Sequence, residues 1–201
     1  MDRSQSDERC YEIPNKDYLS IVKELIDPCF SLLDVGCGTG DRCFTVTGFI
    51  VGLEIHRPYL ENRENRQPHI IPLNADAMKM DQLFMPKTFS AVLFMDTLEH
   101  FSKKDGLHLL KVAEEIATDK VVVFTPRGFF PQRNYDYYNM QGERFQEHRS
   151  GWEPEDFLER GYYVLVLKGL HDAQNPSFVR SFGADHPPVD ALLAYKMIRE
   201  T

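Results

Sequence analysis

Three glycines at alternate positions, Gly36, Gly38 and Gly40, follow an apolar run that ends in an aspartate, within the stretch LLDVGCGTGD at residues 32–41. Glycine reaches backbone angles closed to other residues and carries no side chain, so a ligand can lie directly against the main chain there. A tight turn alone does not call for three of them. A dinucleotide-binding turn wants G-x-G-x-x-G, with pyrophosphate over the amides that follow. Here Asp41 occupies the place of the third glycine of that pattern, and an acid would crowd a phosphate. A sulfonium ligand, cationic and without phosphate, is compatible with both Asp34 and Asp41.

The elements that position this turn can be read from apolar periodicity. Residues 31–35, 49–55, 69–73, 91–95 and 121–124 are short apolar runs that read as buried strands. Residues 17–26 place Leu19, Val22, Leu25 and Ile26 at helical spacing before Pro28, and 104–117 form an amphipathic helix through Leu107, Leu110, Val112, Ala113 and Ile116. A shorter helix over 156–160 precedes Gly161, and 162–167 alternate like a strand. For 191–198 the periodicity fits either a strand or a terminal helix. Strands alternating with helices predict an α/β fold with a mainly parallel sheet covered on both faces. Such sheets bind ligands beyond the carboxyl ends of their strands, where the glycine turn falls.

Composition excludes several classes. The chain has 201 residues, 42% hydrophobic and 12% aromatic, enough for one substantial core and a single domain over 1–201, with 1–30 as an N-terminal helical segment. A formal net charge of −8 opposes a phosphate backbone, so no nucleic-acid partner is expected. Cys10, Cys29, Cys37 and Cys43 have neither CxxC spacing nor an accompanying histidine pair, and no metal site is read from the sequence. They suit reduced thiols in the cytoplasm. No segment resembles a secretory signal or a membrane span.

LLDVGCGTGD resembles the first motif of the class I S-adenosylmethionine-dependent methyltransferases, and the resemblance continues to about residue 170. It implies a Rossmann-like, mainly parallel seven-stranded sheet with helices on both faces, and S-adenosylmethionine as cofactor. The glycines and Asp34 then border the cofactor. In VGLEI, residues 51–55, the acid closing the second strand is in this family the group that grips both ribose hydroxyls, which gives Glu54 that role with Ile55 beside it. LNADAMKM, residues 73–80, is similar to the third motif, so Asp76 accepts from the adenine amino group and the Ala77 amide serves a ring nitrogen. FSAVLFMDTLEHF, residues 89–101, resembles the segment bordering the methyl group, where Met95 and Asp96 fall. Only residues 41–47 separate the glycine turn from the next strand, which implies a short first crossover built from mediocre helix formers such as Cys43 and Thr45.

The second half chooses the methyl acceptor. Residues 126–157 form an aromatic-rich segment with Tyr135, Tyr137 and Tyr138, read as a lid on the acceptor side. The order TPRGF, HRSGW, short helix and Gly-Tyr strand resembles a subset of small-molecule methyltransferases. Methyl transfer from a sulfonium needs alignment and exclusion of water, plus a base when the acceptor oxygen or nitrogen starts protonated. His148 is the candidate base, with Arg149 and Tyr135 as candidate acceptor contacts; His100 reads as structural or pocket-lining, His56 as flanking the adenine, and Trp152 as a loop anchor. The expected function is methyl transfer to an oxygen or nitrogen of a small molecule. The alternatives are a cofactor-binding protein without turnover, acting through a protein partner, and a protein methyltransferase; a dehydrogenase has the glycine spacing against it.

Overall fold

The structure, a computed structural model, describes residues 8–14, 17–40, 44 and 46–198. In chain order its elements are β1 (Cys10–Ile13), α1 (Tyr18–Ile26), β2 (Ser31–Val35), β3 (Phe49–Glu54), α2 (Arg57–Glu61), β4 (Ile70–Asn74), α3 (Met80–Leu83), β5 (Phe89–Met95), α4 (Lys103–Ile116), β6 (Ala117–Pro126), α5 (Pro154–Leu158), β7 (Tyr163–His171), α6 (Pro176–Phe182) and β8 (Val189–Met197). The strands form one sheet in the order β1-β7-β8-β6-β5-β2-β3-β4. β8 runs antiparallel to both of its neighbours, and every other pair is parallel.

Successive strand residues face opposite sides, and both sides are apolar because both are covered. Leu33, Val35, Leu53 and Phe94 join one core with Leu109, Leu110 and Ala113 of α4. Leu32, Ile50, Leu93 and Phe124 join the other with Val22 and Ile26 of α1. Ser102 caps α4, its hydroxyl accepting from the Asp105 N–H at 3.2 Å. Inside that helix Gly106 leaves room for an incoming ring, since a Cβ there would stand 2.5 Å from Trp152 Cζ2. Trp152 is fully buried, stacks on Phe157 with centroids 5.3 Å apart and donates its indole N–H to Ser150 Oγ at 3.0 Å.

The sheet differs from the expected one in count and in detail. An eighth strand, β1, adds to the edge beside β7, within the segment read from sequence as helical. Four residues around a polar Tyr-Glu pair carry too short a pattern to announce a strand. β4 is the opposite edge, with Ile71 49% exposed, so the run read as buried is covered less than its composition suggests. The 191–198 ambiguity resolves as strand: Ala191, Leu192, Leu193 and Ala194 are all fully buried, and a strand covered on both faces loses the two-residue period. α5 starts at Pro154, two residues ahead of the expected helix, because proline suits the first helical position. α6 is an element beyond those expected: Asn175 caps it, Pro176 opens it and Gly183 follows it. The predicted crossover composition at Asp41, Cys43 and Thr45 lies outside the described residues. Among the described residues no helix is long and apolar enough to cross a membrane.

From β2 the sheet extends to β3 and β4 on one side and to β5 and β6 on the other. Strand order reverses at β2 and β5, which opens a crevice at the carboxyl ends of these strands.

Candidate cofactor and acceptor site

A cavity of about 910 Å³ occupies that crevice, bordered by Asp34, Glu54, Asp76, Met95 and Pro126 at or just beyond the ends of β2 to β6. The glycine turn forms one wall. Gly36 and Cys37 donate their N–H groups to the Leu53 carbonyl at 2.7 and 3.2 Å, which folds the turn back onto β3. Gly36 has φ +71°, and a Cβ there would lie 2.7 Å from Thr97 Cγ2. Thr97 itself ties the β5 end to β2, donating to the Val35 carbonyl at 2.9 Å. Gly38, at φ +57°, donates its N–H to Glu54 Oε2 at 3.1 Å, and the His56 N–H donates to Glu54 Oε1 at 2.7 Å. The carboxylate is therefore held across the turn by two amides. Burial pushes its pKa up, against the lowering effect of those two N–H groups.

Gly40 stands apart from the other candidates. Its N–H closes the turn on the Cys37 carbonyl at 2.9 Å, and it borders a small crevice of about 30 Å³ rather than the main cavity. Its φ of +66° accounts for a glycine there. Ile55 lines the cavity and is 43% exposed, while Ala77 and Met95 line it from buried positions. Asp76 uses Oδ1 to accept from the Met78 N–H at 2.9 Å, capping the 3-10 turn that begins at Ala77.

The loop over 127–153 covers the cavity and is fastened to the segment after β3. His56 Nε2 lies 2.8 Å from the Met140 carbonyl, and Gln146 Nε2 donates to the Tyr59 hydroxyl at 2.7 Å. Tyr138 reaches the glycine turn, so that a Cβ on Gly38 would stand 3.0 Å from its hydroxyl. No local sequence pattern marks Tyr59, Thr97 or Gln146. Tyr135 lies on the cavity wall against Tyr137, with Arg180 5.2 Å from its ring centroid. Arg149 also borders the cavity, but Nη2 donates to the Arg144 carbonyl at 3.2 Å and Nε lies 3.9 Å from Glu147, so an anionic ligand would compete with both.

His148 and His100 meet at the far end. The Arg149 and Ser150 amides donate to the Glu99 carbonyl at 2.7 and 3.2 Å, drawing the loop onto the segment after β5. The two imidazoles stand 4.9 Å apart, and His148 Nδ1 donates to the Phe130 carbonyl at 2.8 Å. Burial, then the neighbouring His100, pushes the His148 pKa down to about 3. Burial also lowers that of His100. A base so weak is poorly matched to taking a proton at neutral pH, so the structure places His148 in the cavity yet withdraws the physical basis for it as the general base. Glu99, His100 and His148 each present a ligand atom, all within 4.8 Å of one another, a grouping not read from the sequence.

The sheet order, the glycine turn and the acid closing β3 define a Rossmann-like methyltransferase architecture. Residues 33–118 match the family described as a methyltransferase domain. No curated protein matches the chain in sequence. Among solved structures, a SAM dependent methyltransferase from Archaeoglobus fulgidus is 18% identical, with 90% of this chain and 92% of that one covered at a TM-score of 0.57. The plantazolicin methyltransferase BamL, solved with a triazolic desmethylPZN analog and SAH, is 12% identical, with 92% and 83% covered at 0.56. The [4+2]-cyclase SpnF is 16% identical, with 90% and 80% covered at 0.58. The chain therefore carries a methyltransferase-domain match over residues 33–118 and shares the fold of these solved structures.

Proposed function

We propose that this protein transfers a methyl group from S-adenosylmethionine to an oxygen or nitrogen of a small-molecule acceptor. The observation that carries the reading is one continuous cavity, with the glycine turn, Glu54 and Asp76 at one end and Gln132, His148 and His171 at the other. At about 910 Å³ it matches the upper range of small-molecule pockets, roughly 300–1,000 Å³, and is too confined for a folded substrate.

Each residue has a definable task. A carboxylate offers about four lone-pair sites, so Glu54, with one amide on each oxygen, retains capacity for two ribose hydroxyls. Asp76 keeps its second oxygen for an adenine amino group and orients it by the cap on Met78. Asp34, buried at the end of β2, supplies negative charge to a cationic ligand. The fastened loop excludes water and fixes the acceptor's approach, which is where most of the rate gain in such a displacement arises. When bound, S-adenosylmethionine supplies an electrophilic methyl whose leaving thioether is neutral, so no acid is required for its departure.

Calorimetric titration with S-adenosylhomocysteine tests the cofactor half, with Glu54→Ala and Asp76→Ala each expected to weaken binding tenfold or more, about 1.4 kcal/mol. Unchanged affinity in both variants would remove the assignment of this cavity. Because the fold also serves a cyclase, an acceptor screen read by mass spectrometry decides between transfer and binding without turnover. Methylation of a protein and of no small molecule would overturn the acceptor class.

A further inference from the structure

We propose that Glu99, His100 and His148 bind a divalent cation at the acceptor end of the cavity, where it takes a hydroxyl oxygen of the acceptor as a further ligand. The acceptor chemistry rests on the methyl-transfer reading; the cation site rests on its own geometry.

The adjacent Glu99 carboxylate and His100 imidazole converge with the imidazole of His148 from the covering loop, their ligand atoms within 4.8 Å of one another. Bonds of about 2.1 Å would draw those atoms to roughly 3–4 Å, a contraction that side-chain torsions supply. The surrounding contacts orient the donors as a metal requires. A carbonyl only accepts, so the 2.8 Å contact with Phe130 places the His148 proton on Nδ1 and leaves a lone pair on Nε2. Glu99 is 2% exposed, and its Oε2 accepts from the fully buried Thr125 hydroxyl at 2.9 Å, which sets the plane of the carboxylate. His100 Nδ1 stands 3.4 Å from the Glu147 carbonyl. The Arg149 and Ser150 amides bonded to the Glu99 carbonyl keep the two halves of the site in register.

Two neighbours strengthen the case. Asp96 lines the same cavity, and its negative charge acts on both imidazoles. In the same cavity His171 Nε2 is buried with no hydrogen-bond partner among the described residues. A buried polar atom left so costs stability, and a cation or its bound water would satisfy it. The donor set of nitrogens and carboxylate oxygen suits Mn²⁺, Co²⁺ or Zn²⁺, and three protein ligands leave coordination positions for the substrate.

A hydroxyl bound there becomes more acidic and releases its proton to bulk water. The resulting oxygen forms the new O–C bond as the S–C bond breaks, its electron pair leaving on the neutral thioether. The cation keeps its charge throughout, so the step needs no oxidant and no side-chain base.

The test is titration of the chelator-treated full chain with Co²⁺, followed by visible absorption and calorimetry. We expect one equivalent per chain with bands typical of nitrogen and oxygen ligands, and affinity reduced more than about tenfold in His148→Ala and Glu99→Gln. His108→Ala, altered on the exposed face of α4, should bind as the parent does. Should Glu99→Gln fail to fold, His148→Asn and paramagnetic broadening of the His100 and His148 ring protons read the same site. Substoichiometric binding, or binding indifferent to these substitutions, would overturn the proposal. S-adenosylhomocysteine titrated into the metal-free protein separates the two readings: its failure beside intact Co²⁺ binding sinks the cofactor assignment alone.

Discussion

At Gly36, φ is +71° and an added methyl group would start 2.7 Å from Thr97 Cγ2, on a threonine already fixed by two carbonyls. Gly36→Ala should therefore lower stability by about 2 kcal/mol, read as a reduced urea midpoint at unchanged slope. A second expectation concerns pH. His148 has an ordinary pKa of 6.5 that falls to about 3 on folding, so the unfolded chain binds the proton more tightly. Its contribution is complete above about 6.5 and is lost as pH falls toward 3, with a slope of at most about 1.4 kcal/mol per pH unit. His100 and His171 shift in the same direction, and Asp96, facing all three, opposes the shift. Urea midpoints measured from pH 7 to 4 should fall less steeply for His148→Asn than for the parent. Gly36, Gly38, Asp34, Glu54 and Asp76, which line the cavity, could be picked out from the sequence, because a turn against a cavity restricts residue type at fixed local spacing. Tyr59 and Thr97 could not, since their importance comes from what folds against them.

Among the elements, the covering loop is held by contacts it does not own. Tyr59→Phe removes the hydroxyl that accepts from Gln146, so the loop should open more readily by about 1 kcal/mol. Faster hydrogen exchange at Tyr137, Asn139 and Gln146, with β2 and β5 unchanged, would register it. Equal exchange across the loop would show the bond to be idle. Trp152 anchors the same loop at its other end, and Trp152→Ala should cost about 3–5 kcal/mol by emptying the space that Gly106 leaves under it. β2 and β3, most of β5, the middle of β6 at 121–124 and all of α4 but its first residue could be read from their apolar spacing, because their own residues fill the core. β1 could not, since its four residues gain a strand's status only by pairing with β7. The α6 caps at Asn175 and Gly183 were present as local signals but had no long apolar face to draw attention.

For the molecule as a whole, a ligand that binds only the folded chain raises its stability by mass action. S-adenosylhomocysteine at 100 times its dissociation constant should add about 2.7 kcal/mol, which for a chain of this size is roughly 5–10 °C in Tm. No shift by scanning calorimetry, under conditions where titration shows binding, would mean that the unfolded chain binds as well. The strand order carries a further consequence, for the sequence of events in folding. β8 is inserted between β6 and β7, and Cys10 of β1 pairs with Val164 of β7. During synthesis, β2 to β6 are therefore complete while the edge of β6 that will receive β8 is still bare and β1 has no partner. That edge includes Val121, Val122, Val123 and Phe124, an apolar run of unpaired backbone suited to bonding with the wrong strand. The sheet becomes continuous only once residues 189–197 exist, so the growing chain carries that adhesive edge from the completion of β6 until β8 is made.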